Sequence, residues 1–147
     1  MLLSFNRIQQ NKIHNSLSIF DNLFKKHIPD LYDHLVLTLE VPLETFLYKW
    51  FFTVFSDSLQ MEVVLIVWDF LLIFEFEVVL FKTAIIILQN LKNSLLEHND
   101  QASVLNFIKK QSKLMIDKGM ILNGLRSSFI DEVELKFKLN EKGDNRD

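Results

Sequence analysis

Cysteine is absent from this chain of 147 residues, and glycine and proline nearly so, at three and two residues. Without thiols the chain forms neither a disulfide nor a thiolate metal site, which fits a reducing compartment. No glycine precedes Gly119, and the prolines are Pro29 and Pro42. A sheet protein needs Gly, Asn-Gly or Pro turns about every ten residues, and they are missing. An excess of one charge is also lacking. The net charge is -3, with acids and bases mixed along the chain, so neither a nucleic-acid stripe nor an acidic arm is present. The three late, isolated glycines exclude a phosphate-cradling loop. Leu2, Leu3, Phe5 and Ile8 make too short and broken a run for a signal-peptide core, so a cytoplasmic location is the expectation.

What is present is apolar mass. Hydrophobic residues make up 49% and charged ones 24%, and 14 residues are Phe, a globular composition of one domain's length. With no turn chemistry for sheets, an all-α fold of about six or seven helices with short connections follows.

A membrane-embedded helical protein is the rival reading, because Val63–Phe74 and Val78–Leu88 are densely apolar. A spanning helix needs roughly 20 mostly apolar residues with few charges. Asp69 interrupts the first run, Glu75 and Glu77 separate the two, and Lys82 interrupts the second. Mid-span, a carboxylate costs at least about 2.5 kcal/mol. The expectation is no transmembrane segment, with peripheral membrane association left open.

Along the chain, residues 1–16 read as an arm. From Leu17, apolar residues recur at Phe20, Leu23 and Phe24, a helical face. Pro29 suits the first turn of a new helix and Asp30 its positive end. Leu31, Leu35 and Leu39 form its stripe, and Val41-Pro42 stops it. The next helix carries Phe46, Leu47, Trp50, Phe51, Val54 and Phe55. Asp57 or Ser58 then caps a helix over Met61–Ile73. Glu75–Glu77 separates it from a long helix carrying Leu80, Ala84, Ile87, Leu91 and Leu95. These two helices are apolar nearly all round and are expected at the centre. His98-Asn99-Asp100 is a loop, Val104, Leu105 and Ile108 mark a sixth helix, and Gly119 and Gly124 punctuate shorter pieces. A last short helix is expected over Phe129–Leu139, and residues 131–147 read as a charged tail.

One constellation goes beyond fold class. HIPDLYDHL at His27–Leu35 is followed by Val41-Pro42, then KWFFTVF at Lys49–Phe55, an apolar helix ending in WDF at Trp68–Phe70, and VLFKTAIIIL at Val79–Leu88. This order and spacing resembles the C-terminal half of TBC domains, the helical module of Rab GTPase-activating proteins. There a P-x-L-x-x-H-L helix precedes W-F-x-x-x-F, W-D and a long apolar helix. The matching positions are Pro29, Leu31, His34, Leu35, Trp50, Phe51, Phe55, Trp68 and Asp69. The likeness runs from about Ile19 to Leu96 and more loosely to Phe129, placing a partial domain at residues 17–130. The family usually has a glycine-type turn after the W-D helix, whereas Phe74-Glu75-Phe76-Glu77 stands here, so a tighter turn or fused helices are expected. Trp50 and Trp68 are expected as buried anchors, and Asp69 must face solvent or find a hydrogen-bond partner.

The resemblance implies a regulator of small GTPases of the Rab type in vesicle trafficking, working in the cytoplasm or at endomembrane surfaces, with no cofactor. Such proteins insert an Arg that neutralises charge on the transferred phosphoryl group and a Gln that orients the attacking water. The Arg lies in I-x-x-D-x-x-R and the Gln in Y-x-Q, both in the domain's N-terminal half. Neither is found here. Arg7, Arg126 and Arg146 are the only arginines, Asn123 stands three residues before Arg126, and Tyr32 and Tyr48 are followed by Asp33-His34 and Lys49-Trp50. The chain is expected to start downstream of both motifs, to be inactive alone as an activator, and to be no enzyme with its own turnover. A non-catalytic helical binding or scaffold module is the alternative. Asp30 and His34, four residues apart, have the spacing of two metal ligands but no obvious third, and a surface pair is the plainer reading. Glu75 and Glu77 read as a solvated turn rather than an acid/base pair.

Overall fold

A computed structural model describes residues 2–127, with side chains described from residue 15 onward. The helix expected over Phe129–Leu139 and the tail at 131–147 lie outside the described residues. Among the described residues seven α-helices follow in order: α1 Leu2–His27, α2 Pro29–Tyr32, α3 Glu44–Phe52, α4 Met61–Ile73, α5 Phe76–Leu96, α6 Gln101–Met115 and α7 Lys118–Arg126. A π-helical segment, Asp33–Thr38, extends α2. No strand occurs among the described residues, so the fold is all-α.

The first helix is longer than its apolar face suggested. It starts at Leu2 rather than Leu17, so the residues that read as an arm continue α1. The chain holds no glycine or proline before Pro29, and polar residues of fair helix propensity do not stop a helix. Lys25, Lys26 and His27 lie at its negative C-terminal end. The break comes at Ile28, held out of the helical region (φ -134°) by the proline that follows. Pro29 then opens α2 as its first residue.

Long and buried, α5 is the axis of the fold. Every residue from Val78 to Leu88 is buried, and α1, α2, α3, α4, α6 and α7 all pack on this helix. By length and composition α5 could cross a bilayer, but 72% of its apolar window is buried inside the fold. Two polar residues lie within that stretch. Thr83 donates to the Val79 carbonyl at 2.7 Å. The Lys82 ammonium donates to the carbonyls of Leu125 and Ser127, at 3.2 and 2.9 Å. Those carbonyls lie at the C-terminus of α7, where the helix dipole favours a cation.

The centrality expected of α4 holds on one side only. Val63, Val64 and Val67 are fully buried, whereas Leu65 is half exposed and Leu72 is 87% exposed. Apolar composition all round a helix does not show which of its faces is covered. The N-cap of α4 is Gln60, without a side-chain cap, rather than Asp57 or Ser58. The turn into α5 is two residues long and needs no glycine. Phe74 (φ -111°) and Glu75 (φ -65°) are both extended, so the helices are separate and α5 begins within the expected gap.

Aspartates start the last two helices. Asp100 accepts from the Ser103 amide at 2.8 Å, and Asp117 from the Met120 amide at 2.9 Å. The glycines expected to punctuate this region both lie inside α7. A Cβ on Gly124 would stand 2.4 Å from Cδ1 and 2.5 Å from Cγ1 of Ile86, so the bare Cα permits the approach of α7 to α5. One on Gly119 would meet nothing nearer than Asp117 Oδ1, at 3.4 Å. Gly124→Ala is therefore expected to destabilise by about 1–2 kcal/mol, overpacking outweighing the gain in helix propensity. Gly119→Ala is expected to be neutral or stabilising. Urea unfolding of the two variants beside the parent checks the contrast.

Candidate functional site

The motif residues form two groups, each placed by a break in the helices. In the first, the chain leaves α2 through the π-helical segment and turns at Glu40, whose φ is 54°. Leu31 and Leu35 are fully buried, while Pro29 is exposed at the head of α2. The His34 Nε2 lies 2.7 Å from the His98 carbonyl. Gln101 donates to the carbonyls of Leu39 and Glu40, at 2.9 and 3.0 Å. Together these bonds tie the π-helical segment and the turn after it to the α5–α6 loop and the first residue of α6. Asp30 pairs with Lys92 and accepts from the Leu31 amide, which holds its carboxyl below the usual range. Asp30 and His34 are thus engaged with different partners, and no group of three His, Cys, Asp or Glu among the described residues is placed to hold a metal.

Behind this group Tyr32 is buried and donates to Asp21 at 2.8 Å. Burial, then that bond, push its hydroxyl up to about 12. The neutral form is the one the fold favours. Its contribution is therefore whole below the ordinary value of about 10 and is lost as pH rises through about 12.

The second group surrounds the turn after α3. The helix ends at Phe52, three residues short of the expected Phe55, because Val54 and Phe55 are both left-handed, with φ of 49° and 64°. For a β-branched valine this is a genuine outlier, and such strain costs on the order of 1–3 kcal/mol per residue. The motif supplies what holds it. The Phe55 amide donates to the Trp50 carbonyl at 2.8 Å. The Phe55 ring, fully buried, lies 5.7 Å from that of Trp50 and 6.3 Å from that of Phe51. The Trp68 indole N–H, from α4, donates to the Val54 carbonyl at 3.1 Å. Trp50, Phe51, Phe55 and Trp68 thus converge on one turn.

Trp50 is buried as expected. Trp68 is 40% exposed, so it anchors by its N–H rather than by full burial of its ring. Asp69 beside it faces solvent. Glu75 and Glu77 are exposed at the α4–α5 corner and not pocketed. Two concavities among the described residues are open grooves. One of about 750 Å³ runs between α5 and α7 past Asn90, Asp117 and Asn123, and one of about 330 Å³ lies beside Lys49, Trp50 and Lys109. Neither brings together a nucleophile and a base. Sequence reasoning missed the left-handed turn, since nothing in Thr53-Val54-Phe55 advertises positive φ.

Removing the hydrogen bond while keeping an aromatic ring, Trp68→Phe, is expected to cost about 1 kcal/mol. Trp50→Ala is expected to cost about 3–5 kcal/mol, and Asp69→Asn less than about 0.5 kcal/mol. Thermal unfolding of the three variants orders them. In alkaline titration, the parent's stability relative to Tyr32→Phe is expected to fall between pH 10 and 12.

Comparison with known proteins agrees with this arrangement of motifs. The profile of the Rab-GTPase-TBC domain matches residues 1–96, which span α1 to the end of α5. A TBC domain-containing protein of Schizosaccharomyces pombe is 30% identical over 90 residues, covering 61% of this chain and 11% of that protein. The chain therefore spans about a tenth of that relative's length. No solved structure matches. With the family profile covering the strained turn, His34 and the buried axis alike, this chain belongs to the Rab-GTPase-TBC domain family, a family of GTPase activators.

Proposed function

We propose that this chain is a GTPase-binding element of the TBC family. It engages a small GTPase of the Rab type on the cytoplasmic side of trafficking membranes and does not itself supply the groups that speed hydrolysis. The observation that carries this is the family match over residues 1–96 in a chain with neither I-x-x-D-x-x-R nor Y-x-Q. An arginine finger is worth about 10³–10⁵ in rate, because it neutralises charge on the phosphoryl group in flight. Arg126 is a poor substitute. It is exposed at the last position of α7, follows Asn123 rather than an aspartate, and is not held towards any groove by a described bond. Without the fingers, recognition of the nucleotide-bound GTPase is what remains of the family's activity.

The test uses the full chain and a set of purified Rab proteins loaded with GTP. Saturable binding is expected to at least one of them, with a hydrolysis rate unchanged within about twofold, against the 10³–10⁵ a finger would give. Stimulation of tenfold or more would overturn the proposal, and its loss in the Arg7→Ala, Arg126→Ala, Arg146→Ala triple variant would show that an arginine of this chain supplies it. The absence of binding across the set would overturn the proposal as well.

A further inference from the structure

Asn123-Gly124 is the one Asn-Gly pair in the sequence, and it does not serve as a turn, since both residues lie inside α7. Packing demands the glycine. A Cβ there would stand 2.4 Å from Cδ1 of Ile86, so no larger residue fits without displacing that side chain. Asn123 is exposed and lines the open groove between α5 and α7. An asparagine followed by glycine has a reaction of its own, because no Cβ shields the next amide nitrogen. That nitrogen attacks Cγ of Asn123 and closes a succinimide ring. The Cγ–Nδ2 bond breaks, and Nδ2 leaves as ammonia with the proton of the Gly124 amide. Water then adds to the former main-chain carbonyl of Asn123 and breaks its bond to the Gly124 nitrogen, which regains a proton. The product is isoaspartate. Its main chain runs through Cβ and Cγ, one carbon longer, with a carboxylate where the backbone carbonyl stood.

Geometry decides when this reaction runs. Inside a helix the Gly124 amide is committed to the carbonyl ladder and does not face the carboxamide of its neighbour. The residues after the pair are held as well. The Ser127 amide donates to the carbonyls of Asn123 and Gly124, each at 3.2 Å. Lys82 of α5 donates to those of Leu125 and Ser127, at 3.2 and 2.9 Å. Against this, α7 has nine residues and buries the side chains of Ile121 and Leu125. A helix of that length does not persist in water by itself, and an element with few buried side chains opens ahead of the whole fold. We propose that Asn123 is a modification site gated by the docking of α7, inert while the helix is seated and converted to isoaspartate when it is released. The change is one-way. The extra main-chain carbon shifts Gly124 from a contact with Ile86 that has no room for one methyl group. The new carboxylate also enters a groove that already holds Asp117. A chain that reacts therefore keeps α7 released. This inference does not rest on the GTPase reading, and the two fail separately.

The full chain is incubated in neutral buffer with and without urea, and isoaspartate at Asn123 is followed by peptide mass spectrometry and by enzymatic methylation of the isoaspartyl carboxylate. Conversion is expected to be at least about tenfold slower in the folded chain than in urea. Lys82→Met removes both bonds to the end of α7 and keeps an apolar stem in the core. It is expected to speed conversion in the folded chain about tenfold, with hydrogen exchange rising in α7 and not in α5. In urea, Gly124→Ala is expected to slow conversion at least about tenfold, a reading that stands even if Lys82→Met does not fold. The purified isoaspartyl chain is expected to have lost exchange protection in α7 while α5 keeps its own. Equal rates in the folded and unfolded chains would overturn the proposal. So would a folded Lys82→Met chain that converts no faster or loses protection in α5 as well, a Gly124→Ala chain unslowed in urea, or α7 equally protected before and after conversion.

Discussion

Burial of Val78–Leu88 on every side constrains everything around it. A helix in that position has no solvent face, so each neighbour must present a complementary surface. The rest of the described residues supply six helices, each with an apolar face. Water is excluded thoroughly enough that the two polar groups in the stretch are bonded within the protein, Thr83 to its own helix and Lys82 to the end of α7. The ammonium is tolerable there because helix-terminal carbonyls carry the negative end of a dipole. The bare Cα of Gly124 serves the same contact from the other side, by letting α7 approach Ile86.

Around that axis the family motif has a mechanical meaning. W-F-x-x-x-F and the tryptophan of W-D together hold a backbone that two ordinary residues would not choose. Val54 and Phe55 remain left-handed because one carbonyl is bonded to an indole and one ring is enclosed by two others. The price of that turn is met by surrounding bonds, and the turn reverses the chain between α3 and α4. Strain of this kind is found where a fold must fix a surface in place. Here the turn sets how the chain enters α4.

Legibility followed the physics of each residue. The boundaries of α4 could be read from apolar density and a polar break, and those of α5 nearly so. The stop at Ile28 could be read because proline constrains its predecessor whatever the tertiary context, whereas the segment expected to run to Val41-Pro42 ends at Thr38, ahead of the left-handed Glu40. The motif spacing, too, carried the family before any coordinates. What could not be read depends on neighbours. The exposure of Trp68 depends on which face of α4 the other helices cover, and periodicity reports only that both faces are apolar. The length of α1 was hidden because apolar spacing marks the buried part of a helix, not its full extent. The placing of Gly119 and Gly124 inside α7 inverted the usual reading of glycine as punctuation, since at Gly124 a close approach, not a turn, was the need.

The tie between His34 and the α5–α6 loop has a topological consequence. Its hydrogen bonds join residues 61 to 64 positions apart, so α3, α4 and the whole of α5 form a ring closed without a covalent link. Closing a loop of that length costs on the order of 4 kcal/mol in chain entropy. Three hydrogen bonds of about 1 kcal/mol each offset most of it. Packing of α5 against its neighbours supplies the rest, and a single backbone cut in the α3–α4 turn would leave both new ends tethered to the same body.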